Sequence, residues 1–288
     1  LWQHHFGRGI VATASDFGLR GERPTHAELL DWLAVEFVES GWDVKHVLRL
    51  MATSAAYRRS SSVTAETLRK DPENRLLARG PRFRLPAEMI RDQALAVSGL
   101  LVDRAGGPPV RPYQPPGLWQ ELYGGRGYTQ DKGEALWRRS LYTFWKRTVP
   151  PPMMMTFDSP SREVCTVTAM RTNTPLQALN LMNDVTFLEA ARKLAERIMT
   201  EGGAEFESRL RRGMVLALLR EPDAAEAATL RALHDRLLAF YRARPLDAEA
   251  YLTQGEAPRN PALDTGALAA WTGVASLLLN LDEAVTRP

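Results

Sequence analysis

Thr174-Pro175-Leu176-Gln177 leaves the chain around it little choice of structure. A threonine can cap the first turn of a helix. A proline after it already has a helical φ and no N–H to leave unbonded, and a glutamine three positions past the cap can reach back to the cap's own N–H. The pattern predicts a long helix from 174 to about Met199. The same reasoning recurs along the chain. Thr25 and Glu28 have capping-box spacing before Leu29, Leu30, Leu33 and Phe37, with Gly41 as terminator. Asp43 can cap a helix carrying Val44, Val47, Leu48 and Met51 to about Tyr57, and Asp223 and Glu226 open another to about Tyr241. Asp71-Pro72 and Pro86 read as two further starts, the second for Ala87 to Ser98. Periodicity alone predicts helices over 206–219 and 265–279. The expected fold class is mainly α: a multi-helix globular domain with long, ordered Gly/Pro-rich loops and room for a few short strands.

Residues 103–131 interrupt this pattern with Gly106-Gly107-Pro108-Pro109, Pro112, Pro115-Pro116, Gly124-Gly125 and Gly127, through which no helix can persist. Tyr113, Trp119, Leu122, Tyr123 and Tyr128 would anchor the segment as an ordered irregular loop. A helix is expected over 132–146, with Trp137, Leu141, Phe144 and Trp145 on one side, and a linker over 244–264. Polar segments of interest lie on both sides of the only evident division, near 148–160, so residues 1–288 read as one continuous unit. The start at Leu1-Trp2, within an element, reads as a fragment of a larger chain.

Charge and composition weigh against several classes. A formal net charge of +3 leaves no basic excess for a nucleic-acid footprint. The basic and aromatic residues interleaved over Trp137–Arg147 read as a helix with a buried aromatic face rather than a stacking platform. No apolar run reaches the length of a membrane span. The single cysteine, Cys165, rules out an internal disulfide and a Cys-rich metal site, and reads as buried and inert. Met153-Met154-Met155 reads as a flexible packing element for a groove.

Two polar clusters remain. His4, His5, Arg8, Asp16 and His26 contain the residue types that ligate zinc, so His4, His5 and His26 are the weak metal candidates, but no His-Glu-x-x-His or Cys/His spacing supports a metal. The second runs from Asp158 through Ser159, Ser161, Arg162, Glu163, Cys165, Arg171, Thr172, Asn173 and Gln177 to Asn180 and Asp184. Gln177, Asn180 and Asp184 share one helical face by three-and-four spacing. Such a network could bind an anionic or polyol ligand, or could lock the helix against the loop before it. Carboxylate pairs for glycoside chemistry can be drawn from Asp16, Glu28, Asp31, Asp158 and Glu163, but spacing favours none.

Several separated motifs resemble one family. Trp2-Gln3-His4-His5-Phe6-Gly7-Arg8-Gly9-Ile10-Val11, Asp16-Phe17-Gly18 and Pro24-Thr25-His26-Ala27-Glu28-Leu29-Leu30-Asp31-Trp32 resemble the opening of the DUF1553 domain of planctomycete-type PSD1 and cytochrome c domain-containing proteins. So do Asp71-Pro72-Glu73-Asn74-Arg75, Ala87-Glu88-Met89-Ile90-Arg91-Asp92, Arg138-Arg139-Ser140-Leu141-Tyr142 and Thr172-Asn173-Thr174-Pro175-Leu176-Gln177. Ala27 stands where the family pattern has proline. The resemblance implies the C-terminal part of an exported, extracytoplasmic protein, in the periplasm or cell envelope. It implies no cofactor within this chain, haem held elsewhere in the parent, and the parent's other domains as partners. It carries no reaction. The leading expectation is a non-catalytic interaction or scaffold domain with a protein or carbohydrate partner. The alternatives are a hydrolase acting on a carbohydrate-like substrate, whose histidines would meet Asp158, Arg162 or Arg171 in one concave site, and, less favoured, a nucleic-acid-binding domain.

Overall fold

The computed structural model describes residues 1–119, 127–167 and 170–287. Leu122, Tyr123 and Gly124-Gly125, expected above to anchor or bend the long loop, lie outside the described residues. The chain is mainly α, and among the described residues its one sheet has two short strands. By contact it divides into two units, the first holding residues 1–84, 165–167 and 286–287, the second the remainder.

The first unit contains α1 (Trp2–Phe6), α2 (Ala27–Glu39), α3 (Val44–Thr53), α4 (Ala65–Lys70) and the strand β1 (Phe83–Arg84). Its core is small: Phe6, Val47 and Met51 are buried, and Leu33, Phe37, Leu48 and Tyr57 pack against them. Trp2 stacks on Phe6 with ring centroids 4.0 Å apart. Asp43 caps α3 as expected, its carboxylate accepting from the N–H groups of Lys45 and His46. The expected Thr25 cap does not form. Thr25 Oγ1 donates instead to the carbonyl of Ile10 at 3.3 Å, and α2 begins after His26 without a side-chain cap. Asp71 ends a helix rather than starting one. α4 precedes it, opened by a Thr64–Thr67 capping box, and the Asp71 carboxylate accepts from the N–H groups of Arg75 and Leu76 at 2.8 Å each.

The second unit is built on α5 (Ala87–Ser98), α6 (Pro152–Thr156), α7 (Pro175–Asn183), α8 (Val185–Glu201), α9 (Phe206–Leu218), α10 (Ala224–Ala243), α11 (Pro245–Leu252), α12 (Thr265–Asn280) and α13 (Asp282–Val285). The strand β2 (Thr286–Arg287) belongs to the first unit, antiparallel to β1 with Phe83 opposite Arg287. α8 is central: α5, α9 and α12 pack on it, and Phe187, Leu194 and Ile198 are fully buried. At Gly213 on α9 a Cβ atom would come within 2.8 Å of Ile198 Cδ1, so a larger residue would have to push the Ile198 side chain aside.

The helix expected from 174 to 199 breaks at Asp184. Its backbone is extended there, and its carboxylate accepts from Thr186 N at 2.9 Å, which caps a new helix instead of continuing the old one. The 244–264 segment contains α11, with Pro245 in its first turn. The helix expected over 132–146 is absent. Two short 3-10 turns, Gly133–Trp137 and Ser140–Tyr142, lie there, and Leu141 is exposed instead of buried. Side chains from elsewhere take the backbone acceptors of this stretch. Arg91 Nη1 donates to Arg138 O and Ser140 Oγ, and Nη2 to Leu136 O. The Arg138 guanidinium in turn donates to the carbonyls of Arg104, Gly106 and Pro108 and lies 3.9 Å over the Tyr142 ring. Glu189, fully buried on α8, accepts from Ala257 N, Tyr113 Oη and Trp137 Nε1. The irregular segment is thus ordered by charged side chains as well as by its aromatics.

Asp223 and Glu226 form the expected capping box at α10. Both Glu226 carboxylate oxygens also accept from Arg220, which reaches Glu283 as well. The Arg220 hydrogen bonds, aided by the N–H of Asp223, hold the Glu226 carboxyl down at about 2. A lowered carboxyl pKa means that the unfolded chain takes up a proton first. The contribution is therefore complete above about 4.5 and is lost as pH falls towards 2. Arg220→Ala is expected to flatten the thermal-midpoint profile between pH 4.5 and 2 relative to wild type. Parallel profiles for the two proteins would contradict this.

Candidate functional site

The first polar cluster lies in the first unit, and its members have separate local partners. His5 Nδ1 is 3.0 Å from Leu1 O, and His26 Nδ1 is 2.9 Å from Thr25 Oγ1. Asp16 accepts from Gly18 N at 3.1 Å, as in an Asx turn. Arg8 pairs with Glu73 and, at 3.6 Å, with Glu22. His4 is exposed. Among the described residues no three His, Cys, Asp or Glu side chains gather in a way that could hold a metal ion.

The second cluster, in the second unit, is partly brought together. Asp158, at a φ of 59°, turns its carboxylate onto Thr172, accepting from its N–H at 2.7 Å and from its hydroxyl at about 3 Å. The buried Gln177 side chain completes the lock: Nε2 donates to Thr156 O at 3.0 Å and to Thr172 Oγ1 at 3.2 Å, and Oε1 accepts from Thr174 N at 3.3 Å. This is the Thr174-Pro175-x-Gln177 start at work, with the glutamine reaching back to the cap N–H. Arg162 departs from the group and lies 4.2 Å over the Trp145 ring, while Arg171 and Asn173 are exposed. Ser159 donates to Glu88. Cys165 is exposed rather than buried. As the only cysteine, outside any Cys-x-x-Cys-His run, it does not fit covalent haem attachment.

The other two members of the Gln177 face, Asn180 and Asp184, open onto a cleft of about 330 Å³. Its walls are apolar: Pro112 and Pro115 from the irregular segment, Pro152, Met153 and Met154 from α6 with Pro151 just before it, and Leu176 and Leu179 from α7. Two of the three consecutive methionines thus pack along a groove, as their flexibility suggested. The polar lining comes from Arg91, Tyr113, Thr143, Thr156, Asn180, Asn183, Asp184 and Thr186. Burial pushes the Asp184 carboxyl up from its ordinary value, opposed by hydrogen bonds from Thr186 and by the Arg91 charge. Burial draws Arg91 down, opposed chiefly by Asp92 and Asp184. The cleft therefore holds a balanced pair of charges and no excess of either sign.

Sequence reasoning placed Asn180 and Asp184 on the right face but missed Arg91 and Thr143. A signal for Arg91 was present. Ala87, Arg91, Ala94, Leu95 and Ser98 recur at helical spacing, and all are buried in α5, so Arg91 occupies a core-facing position. Thr143 had no such signal, because its burial depends on the 3-10 turn before it and on the bridge between Val110 and Thr143.

The chain is mainly helical, and its second unit carries an apolar cleft with one arginine and one aspartate in its lining. The family model of PSD1, a protein of unknown function (DUF1553), matches residues 1–234, and the chain belongs to that family. No curated protein and no solved structure matches the chain. The family match ends at His234, inside α10, so α11 and α12 lie beyond it although α12 packs against the central α8.

Proposed function

We propose that this chain is a non-catalytic interaction domain that docks onto other domains of its parent protein, an exported and haem-linked polypeptide of the cell envelope. One observation carries the reading. α2 carries apolar side chains on its outer face as well as its inner one: Leu33 and Phe37 pack on the core of the first unit, while Trp32, Val35 and Val38 are 49%, 54% and 51% exposed among the acidic Glu28, Asp31 and Glu39. A large aromatic flanked by two valines on an outer helix face, rimmed by acidic residues, is the composition of a surface that a partner covers. The polar clusters support the same reading, since the side chains that come together there are bonded to backbone and to one another in ways that hold the local fold. The export and haem components follow from the family's expected architecture, with the haem carried outside this chain.

The test is the double variant Trp32→Lys/Val35→Glu. The thermal midpoint is expected to stay within about 2–4 °C of wild type, as for exposed substitutions. Association with the remaining domains of the parent, supplied as a separate polypeptide, is expected to weaken at least about tenfold, because truncating or charging a buried aromatic anchor costs that much. Undiminished association, or a midpoint that falls by more than about 10 °C because the face is packed inside the chain, would overturn the proposal.

A further inference from the structure

We propose that one side of the first unit rests on an anionic lipid bilayer, with Phe17, Leu19 and Trp42 entering the headgroup boundary and Arg20, Arg23 and Lys45 meeting lipid phosphates. The inference goes beyond the docking role of α2 and stands without it, since it rests on other residues and on the opposite face of that helix.

The apolar groups stand out from the surface. Leu19 is 109% exposed and Phe17 72%, both in the loop between Thr13 and Glu22. That loop is held by its own hydrogen bonds. Thr13 Oγ1 donates to Asp16 O and accepts from Glu22 N, each at 2.9 Å, and Gly21 N donates to Gly18 O at 2.9 Å. A Cβ on Gly21 would meet Asp16 O at 2.1 Å, so a larger residue would force the turn open. The loop is therefore ordered before it meets anything, which lowers the cost of binding. Behind Phe17 the apolar surface continues as an open concavity onto Leu30, Leu33 and Phe37 of α2. Trp42, 66% exposed, packs edge-on against Phe37 with ring centroids 5.2 Å apart. Phe17 and Trp42 thus flank one apolar surface. A single exposed apolar residue is ordinary, whereas a connected set with aromatic tips marks a contact surface.

Charge identifies what the surface contacts. The nearby carboxylates are engaged. Asp16 accepts from Gly18 N, Asp43 caps α3, and Glu22 lies 3.6 Å from Arg8 and 3.7 Å from Arg75. The cations are not. Arg20, Arg23 and Lys45 are exposed, and among the described residues their side chains make no ion pair or hydrogen bond. Arg20 adjoins Leu19 in the chain, and Lys45 is three residues past Trp42. On α2, Glu28 and Glu39 fall by helical spacing with Trp32 and Val35, on the face away from Leu30, Leu33 and Phe37. The two apolar surfaces of the unit therefore differ in their rims: acidic around Trp32, basic beside Leu19 and Trp42. Unmatched guanidinium groups pair with phosphates, apolar tips enter the acyl boundary beneath them, and tryptophan settles at that depth. Shape favours a bilayer over a folded partner. A protein would need a fitted pocket for each protruding side chain, and a fluid bilayer needs none. A nucleic acid offers phosphates too, but has no apolar layer for Leu19.

The experiment sediments the whole chain with vesicles of phosphatidylcholine, alone or with about 30% phosphatidylglycerol, at about 0.05 M salt. Half-binding is expected at millimolar anionic lipid, weaker than the association constant of about 10⁴ M⁻¹ for one myristoyl chain, because three side-chain tips bury less apolar surface. Neutral vesicles are expected to bind at least about tenfold more weakly, and about 0.5 M salt should abolish the difference. Spin-labelled lipid should broaden the amide resonances of residues 17–20 and Trp42 before others. Leu19→Asp alters a side chain wholly in solvent, so the thermal midpoint should hold while binding falls at least about fivefold. Arg20→Gln/Arg23→Gln should lower binding at least about tenfold, to the level of neutral vesicles, since each cation near an anionic surface contributes about fivefold. No binding at millimolar anionic lipid, equal binding to both vesicles, unchanged binding by either variant, or broadening centred elsewhere would each overturn the proposal. So would self-association that Leu19→Asp abolishes without any vesicle binding, which would place a second copy on this surface. No other domain of the parent is present in this assay, so its failure is distinguishable from failure of the α2 docking.

Discussion

Trp271→Ala is expected to cost about 3–5 kcal/mol of unfolding free energy, read as a lower denaturation midpoint at unchanged slope. Trp271 is 2% exposed on α12 and belongs to a three-ring cluster, stacked on Phe206 with centroids 5.2 Å apart and tilted against His234 at 4.9 Å, while Phe206 and His234 touch each other. Arg231 lies over the outer face of Phe206. The surroundings cannot collapse into the space that alanine would leave. Ala269, Ala270 and Ala275 on the same helix are fully buried, and Gly273 sits where a Cβ would meet Leu237 at 2.5 Å, so α12 is already in close contact with its neighbours. The cost should therefore fall at the upper end of the range for buried aromatics. A loss below about 1 kcal/mol would mean that α12 is peripheral, despite its packing on α8. The result matters for the family as well, because α12 lies beyond the matched residues 1–234. A construction of the domain ending at His234 would lack the wall that Trp271 supplies.

Arg91→Ala is expected to be as damaging, at about 3–5 kcal/mol, for a different reason. The side chain is 3% exposed and donates to Leu136 O, Arg138 O and Ser140 Oγ. Its removal would orphan these acceptors and take from the half-buried Asp184 carboxylate the nearby Arg91 charge. Arg91→Met separates packing from polarity: it restores most of the volume but none of the hydrogen bonds, and should recover little stability. Arg91→Lys should also fall short, because an ammonium cannot serve acceptors spread over two guanidinium nitrogens. Denaturant unfolding, with hydrogen exchange at residues 136–143, gives the readout. Full rescue by methionine would show that Arg91 acts as a spacer and that the irregular segment holds itself together.

Local chemistry was legible wherever it closed within a few residues. The caps at Asp43, Asp223 and Thr174 each satisfy an amide two or three positions away or receive one in return, so nothing distant is needed to form them. Thr25 had the same spacing but failed, because Ile10, fifteen residues earlier, offered its hydroxyl a carbonyl. Asp184 was read as part of a continuous helical face, yet an aspartate able to cap Thr186 N can as readily start a helix as continue one. The candidate site followed the same division. The Asp158–Thr172–Gln177 lock belongs to one stretch of chain and was grouped from sequence, whereas the cleft assembles Arg91, Pro112, Thr143 and Asp184 from separate stretches.

The sequence by itself therefore determined that the chain is helical, where most helices begin, and which family it belongs to, because caps, periodicity and motifs are short-range. Only the tertiary structure decided that residues 132–146 are not a helix. Their apolar spacing would suit one, but Arg91, forty-five or more residues away, takes the carbonyls of Leu136 and Arg138 that a helix would have used. The same donation holds the turn that precedes the buried Thr143, which lines the cleft. A backbone acceptor can be used by its own helix or by a distant guanidinium, and the choice is made when the helices pack.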